Sequence, residues 1–385
     1  MLILFEALFW AAAALIGWTQ LGYALALAIL ARVKGSAITP TPTRRMTGRS
    51  LPKVSLIVAA HNEQAVIERK LANALALDYP RELLEIIVAC DGCTDETAER
   101  ARRAGADLVL ELPRVGKIRA QDAAVETARG EILAFSDANC VWESDALRVL
   151  LNAFADPEVG YACGQVRFVQ GALAGNNQEG LYWRYEMAVR ALESQLGSIT
   201  AGNGAIYATR RESYMIVDPV MGHDLSFPFK IVKRGQRAIY VPGALATEKM
   251  APSIEGEFAR KRRMMSHTWP IVLRGGMLSP RGYGLGYSIA IISHRLLRYA
   301  TPALHLLALL ANVAVVIMQP SPLYLATLAL QVCLLAAATL ASVIRLRPLL
   351  IARYYVLSTA SLAAGLWDWA RHGTSPGWEA AQGTR

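Results

Sequence analysis

The apolar residues of this chain are gathered at its two ends. Ala7 to Ala31 runs without a charged side chain, long enough to cross a hydrocarbon core of roughly 30 Å. A secretion signal would have a basic start and an apolar core of about 7–15 residues. Here only Glu6 precedes the run, so the pattern predicts an uncleaved anchor. Arg32, Lys34, Arg44, Arg45, Arg49 and Lys53 follow with no acid among them, and a basic flank stays in the cytoplasm. Thr39 to Thr43 reads as a short extended linker. Near the other end, Tyr299–Met318 and Leu323–Ile344 are two further spans joined by a tight turn, and Arg345, Arg347 and Arg353 mark a return to the cytoplasm. Tyr354 to Trp367 is apolar but short, either a further span or an interfacial helix. Arg281 to Arg298 mixes Arg281, His294, Arg295 and Arg298 with Leu, Ile and Tyr, which predicts an amphipathic helix on the inner leaflet. His305 and Asn312 lie inside the second span, as partners of a neighbouring helix or as lining of a substrate path.

The middle of the chain has a different rhythm. Val54–Val58, Leu84–Val88, Leu108–Leu110 and Ile132–Phe135 are short β-branched runs. Helix-like stretches separate them: Glu63 to Leu77, with Ile67, Leu71 and Leu75 on one face, and another opening at Thr94. That alternation predicts an α/β domain with a mainly parallel sheet. Ligands bind such sheets outside the carboxyl ends of the strands. Three of these runs end in polar groups: Ala59-Ala60-His61-Asn62-Glu63, Cys90-Asp91-Gly92-Cys93-Thr94-Asp95 and Ser136-Asp137-Ala138-Asn139. Asp95 and Glu96 read as helix caps. Cys90 and Cys93 bracket an Asp-Gly turn with no second cysteine pair, so a turn is read there rather than redox or zinc chemistry.

Composition narrows the class. Of 385 residues, 54% are hydrophobic and 18% charged, against roughly 45–50% and about 25% for soluble domains. This excludes a disordered or collagen-like chain and a wholly soluble enzyme. Five scattered cysteines fit a reducing compartment. The net charge of +9 is read as topology and contact with anionic membrane lipids, not as nucleic-acid binding.

These residues resemble the membrane-bound inverting glycosyltransferases of family 2, over about residues 50 to 300. That group includes ceramide and hopanoid glucosyltransferases and the poly-N-acetylglucosamine, cellulose and hyaluronan synthases. The resemblance implies an α/β GT-A domain, mainly parallel, inserted between transmembrane helices. The expected division is an anchor over 1–33, a linker over 34–51, the cytosolic domain over 52–280, an interfacial helix over 281–298, two or three helices over 299–370 and a tail over 371–385. It further implies that Ala60, His61 and Glu63 hold the uridine, that Asp91 contacts the uracil and that Lys117 lies near the diphosphate. Asp137-Ala138-Asn139 stands where a D-x-D metal motif belongs, with Asp137 and Asn139 as ligands of Mg2+ or Mn2+. Gly204, in Gly202-Asn203-Gly204-Ala205, precedes the acceptor site. Asp224, after His223, would be the catalytic base. Arg260 and Arg263 stand in the place of Q/R-x-x-R-W, whose final position is Met264 here. Asn139 leaves one carboxylate in the D-x-D, and the missing Trp argues against processive addition, although Trp269 or Trp183 could serve instead.

The chemistry suits these types. Charge grows on a diphosphate leaving group, where a divalent ion, Lys117 and the arginines stabilise it. A carboxylate opposite the leaving group takes the acceptor proton, and one displacement inverts the anomeric centre. The expected function is transfer of a sugar from a UDP-sugar to a membrane lipid or lipid-linked acceptor at the inner (plasma) membrane. The alternatives are a processive exopolysaccharide synthase, whose acceptor is the growing glycan, and a non-catalytic nucleotide-sugar-binding subunit. A transporter is disfavoured by the scarcity of polar groups in the spans. An oligomer is compatible with so few spans.

Overall fold

The computed structural model describes residues 1–35, 51–169, 177–249 and 254–377. The expected linker between residues 36 and 50, with Arg44, Arg45 and Arg49, lies outside the described residues, as does the tail beyond 377.

An apolar helix opens the chain as α1 (Leu2–Gly17) and α2 (Tyr23–Val33), joined by a π turn. The central domain follows as β1 (Val54–Ala60), α3 (Ile67–Leu75), β2 (Leu84–Asp91), α4 (Thr97–Arg103), β3 (Leu108–Leu112), α5 (Lys117–Thr127), β4 (Ile132–Asp137), β5 (Val141–Trp142), α6 (Ala146–Leu151), β6 (Val159–Val169), α7 (Asn177–Leu196), β7 (Ile206–Arg210), α8 (His223–Lys233), β8 (Arg237–Lys249) and α9 (Ile254–Leu273). The C-terminal helices are α10 (Leu285–Ala290), α11 (Leu297–Met318), α12 (Pro322–Leu340) and α13 (Arg347–His372).

One eight-stranded sheet runs β3-β2-β1-β4-β7-β6-β8-β5. Its first four strands are parallel, as the alternating pattern predicts. The other half is mixed. β7 runs antiparallel to β4 and β6, β8 runs parallel to β6, and β5 runs antiparallel to β8. Every residue of β1 is buried, as expected for an inner strand covered on both faces. One face packs Leu56, Val58, Ile86 and Val88 against Ile67 and Leu71 of α3. The other packs Ile57, Ile87 and Phe135 against Tyr161, Tyr207 and Phe227.

Parallel register decides where chemistry collects. Ala60 pairs with Cys90, and Ala59 with both Ala89 and Asp137. The carboxyl ends of β1, β2 and β4 therefore finish side by side, and so do the polar segments that follow them.

Among the described residues, four helices are long and apolar enough to cross a membrane: Leu2–Val33, Leu285–Met318, Pro322–Leu340 and Arg347–His372. The amphipathic helix expected over 281–298 is not a separate element. From Leu285 it continues through a π turn into α11. Of its four basic side chains, Arg281 is exposed while His294, Arg295 and Arg298 are buried inside the protein. Glu186 of α7 accepts from Arg298 at 2.5 Å and Arg295 at 3.2 Å. Glu193 lies 2.8 Å from His294 Nδ1 and accepts from Tyr23 Oη at 3.0 Å. The amino-terminal helix, the domain and the α10–α11 helix are thus joined through one buried ionic network. His305 and Asn312 bond to neighbouring helices, at Tyr355 (2.7 Å) and at Thr327 and Gln331 (3.0 and 3.1 Å).

The helix α13 lies along α9. Arg262 donates to both carboxylate oxygens of Asp368 at 2.6 Å. Lys261 donates to Tyr354 Oη and Ser358 Oγ, and Trp269 Nε1 to the Leu362 carbonyl at 3.1 Å. Gly365 lets the two helices touch, because a Cβ there would come 2.5 Å from that of Met265.

Candidate active site

The β2 end gathers polar groups around Asp91. Its side chain is fully buried. Oδ1 accepts from the amides of Val115 (2.6 Å) and Gly116 (3.0 Å), while Oδ2 is buried without a hydrogen-bond partner. An orphaned acceptor of this kind fits a ligand N–H, since leaving it unmet costs about 1–3 kcal/mol. His61 Nδ1 donates to the Asp91 carbonyl at 2.6 Å, and its Nε2 accepts from Arg114. Those two bonds fix the ring and its tautomer. Gly92 holds a positive φ of 61°, and a Cβ there would lie 2.9 Å from the Arg114 backbone. Only glycine lets the two loops meet so closely. Asn62 takes the left-handed conformation (φ 52°) and accepts the Thr94 amide at 2.8 Å. Ala60 and Glu63 are buried beside this loop, with the Glu63 carbonyl capping α3 at Val66 and Ile67. Asp95 accepts the Thr97 amide at 3.0 Å, as a cap should.

A second group gathers past β4. Lys117, first residue of α5, is ion-paired with Asp137. Burial opposes the Lys117 charge, yet Asp137, with Asp224 and Glu248 farther off, holds its ammonium above the usual lysine range. Asp224 stands in the first turn of α8, and its carbonyl accepts the Gly202 amide at 2.6 Å. Burial pushes the Asp224 carboxyl up, and Lys117 partly offsets this. Gly204 lies directly over it, a Cβ there being 3.9 Å from the Cβ of Asp224. Asn139 Nδ2 donates to Glu248 at 3.2 Å. Burial first, then the charge of Asp137, raises Glu248 above the usual carboxylate range.

Of the residues expected from sequence, Asp91 and His61 are bonded, with Ala60 and Glu63 buried beside them at the end of β1. Lys117, Asp137, Asn139, Asp224 and Gly204 meet beside this group. The arginines divide. The charge of Arg260 acts on Glu248, whereas Arg263 is exposed on α9. Arg260 is thus the arginine of that segment whose charge bears on Glu248. His223, a rival base by type, is enclosed by Phe135, Tyr207, Tyr214 and Phe227. Burial pushes it down to about 3, with the charge of Lys117 adding to the effect.

Two residues escape the sequence reading. Glu248 ends a long strand, and no spacing links it to Asp137. Lys70 is buried, and burial pushes it down to about 8. It donates to Ser136 Oγ (2.6 Å) and the Cys140 carbonyl (2.9 Å), so it braces the loop that carries Asp137. One signal was available: a lysine between Ile67 and Leu71, on the apolar face of α3.

Comparison with known proteins agrees with this geometry. Residues 55–215 match the glycosyl transferase family 2 model. Poly-beta-1,6-N-acetyl-D-glucosamine synthase of Staphylococcus aureus (strain COL) is 23% identical over 234 residues, 58% of this chain and 56% of that protein. The probable glycosyltransferase YdaM of Bacillus subtilis (strain 168) is 29% identical over 140 residues, 34% of this chain and 33% of that protein. The chain thus spans about half the length of the first relative and a third of the second. The solved structure of mannosyltransferase PcManGT from Pyrobaculum calidifontis, in complex with GDP-Man and Mn2+, matches with a TM-score of 0.73 at 25% identity. That match covers 96% of this chain and 100% of the other. The fold is that of the GT-A glycosyltransferases. Within that class, the segment over residues 55–215 is similar to the family 2 glycosyl transferases.

Proposed function

We propose that the chain moves a sugar from a nucleoside-diphosphate sugar, with UDP-sugars the first candidates, to a membrane lipid or lipid-linked acceptor, with inversion. One observation carries this reading. Lys117, Asp137, Asp224 and Glu248 come from four separate elements and meet beside Asp91. The orphaned Oδ2 of Asp91 suits a base N–H. GDP-Man in the Pyrobaculum structure makes a guanosine donor the rival.

The residues fit a hard divalent cation. Asp137, Asn139 and Glu248 offer oxygen donors, and Glu248 supplies the second carboxylate that Asn139 lacks. Among the described residues no three His, Cys, Asp or Glu side chains form a closed metal site. Mg2+ or Mn2+ would share its coordination with the diphosphate, as such ions do. When bound, it would neutralise charge on the leaving diphosphate. Lys117 and Arg260 add fixed positive charge. Asp224 accepts the proton of the attacking hydroxyl. The new bond forms at the anomeric carbon as its bond to the diphosphate oxygen breaks, and the nucleoside diphosphate departs.

In our reading Leu2–Val33, Leu285–Met318 and Pro322–Leu340 cross the plasma membrane, and the domain is cytoplasmic. The fourth helix, α13, stays on the domain side; its bonds to α9 from Tyr354 to Asp368 support this. The site then opens near the acyl chains, which favours a lipid acceptor. The Staphylococcus relative, by its name, favours a polymer. The test is incubation in lipid nanodiscs with radiolabelled UDP- and GDP-sugars and Mn2+. Label extracted into organic solvent as one discrete product supports the reading. A sized ladder in the aqueous phase would replace the lipid acceptor with a growing glycan.

A further inference from the structure

We propose that Thr374–Gly377 is a wall of the donor pocket. This C-terminal segment clamps the Arg114–Lys117 loop and so positions the groups that take the nucleoside diphosphate. The proposal rests on the donor reading above.

The segment is aimed by α13. That helix ends at Gly373, whose φ of 69° turns the chain and whose amide caps Trp369 at 2.9 Å. Thr374 Oγ1 then donates to the Ser266 carbonyl of α9 at 2.7 Å. The next turn of chain carries Pro376 onto Gly116. A Cβ built on Gly116 would lie 2.8 Å from the Pro376 carbonyl carbon and closer still to its oxygen. Gly116 has a φ of 92°, so its lack of a side chain serves both conformation and contact. Gly377 follows beside Arg114; a Cβ there would be 3.8 Å from the guanidinium.

The loop is therefore held from two sides. Inside, the Val115 and Gly116 amides bond Asp91. Outside, Pro376 covers Gly116, and Arg114 runs between Gly377 and His61. The residue after Gly116 is Lys117, which pairs with Asp137. A loop already fixed loses less freedom when a ligand binds, and that gain appears in affinity. The effect belongs to donor binding rather than to the displacement step, in which no atom of the tail takes part.

The test compares the full chain in nanodiscs with a chain ending at His372, using calorimetric binding of UDP and GDP with Mn2+ and steady-state donor kinetics. We expect about a tenfold rise in Kd and in donor KM, with kcat changed less than twofold and the nucleotide-free melting midpoint unmoved. Gly116→Ala in the full chain should also weaken binding, because its Cβ would meet Pro376 and strain a backbone held at φ 92°. Thr374→Val, which frees the segment from Ser266 with minimal disturbance, should move KM the same way by a few-fold. Unchanged or tighter binding by the shortened chain would overturn the proposal; tighter binding would make the segment a plug. Failure of the full chain to bind either nucleotide would remove the donor reading, and this proposal with it.

Discussion

Asp224 and His223 are adjacent, yet burial treats them oppositely. Asp224 faces Lys117, Asp137 and Gly204, whereas His223 is enclosed by aromatic rings and bonds Tyr207 Oη at 2.9 Å. Asp224→Asn should lower turnover by about 10²–10⁴-fold, the range for a positioned base, and leave nucleotide affinity within a few-fold. Turnover and calorimetry on one preparation check this. The histidine shows itself in stability. Its folded pKa of about 3 lies below the unfolded value near 6.5. Between those values the unfolded chain binds more protons, so stability falls as pH falls from 6.5 toward 3. Asp224, raised by burial, acts with the opposite sign. His223→Gln should therefore flatten the acid loss of the melting midpoint in that window relative to wild type. At the metal-fitting residues, Asp137→Ala and Glu248→Gln should each weaken Mn2+-dependent nucleotide binding by tenfold or more, read by calorimetry with and without Mn2+. Asp137 was legible because it ends a parallel strand. Glu248 was not, because only the return of β8 past β6 brings it to Asn139.

Elements show the same division between local and distant causes. The four parallel strands were readable from β-branched runs separated by helical periods, and each proves to begin where the pattern does. All four run two or three residues longer, and three of them reach into the polar segments: Ala60, Asp91 and Asp137 are themselves the last residues of β1, β2 and β4. The antiparallel half was not legible. β6, β7 and β8 pair across gaps of dozens of residues, and no short-range turn announces them. The charged stretch before α11 misled for a related reason. Its amphipathic pattern is what an interfacial helix would show, but its counter-ions, Glu186 and Glu193, lie about a hundred residues earlier. Removing one of them tests the buried network. Glu186→Gln would leave Arg295 and Arg298 short of a counter-charge, and breaking a buried pair costs about 3–5 kcal/mol. A clear drop in melting midpoint in detergent is expected, whereas Glu99→Gln on the surface of α4, an exposed pair 3.8 Å from Arg103, should be nearly silent.

At the scale of the whole molecule, the apolar ends and the nucleotide domain are one mechanical unit. The α9 segment after the carboxylate cluster is bonded along its length to α13, and α13 delivers the chain back to the donor loop. Met264, at the position where polymer synthases carry Trp, is exposed on that same helix. The proposed function puts sugar transfer at the membrane surface, with a nucleotide sugar as donor and the Asp137–Asp224 site as its seat. The most direct measurement is nucleoside-diphosphate release from UDP- and GDP-sugars by nanodisc-embedded wild type, Asp224→Asn and Asp137→Ala, with and without Mn2+ and in the presence of native lipid extract. The account predicts Mn2+-dependent release by wild type from one donor class, matched by label in the lipid fraction, and loss of both in each variant. Release that persists in Asp224→Asn, or none by wild type with any donor, would contradict it.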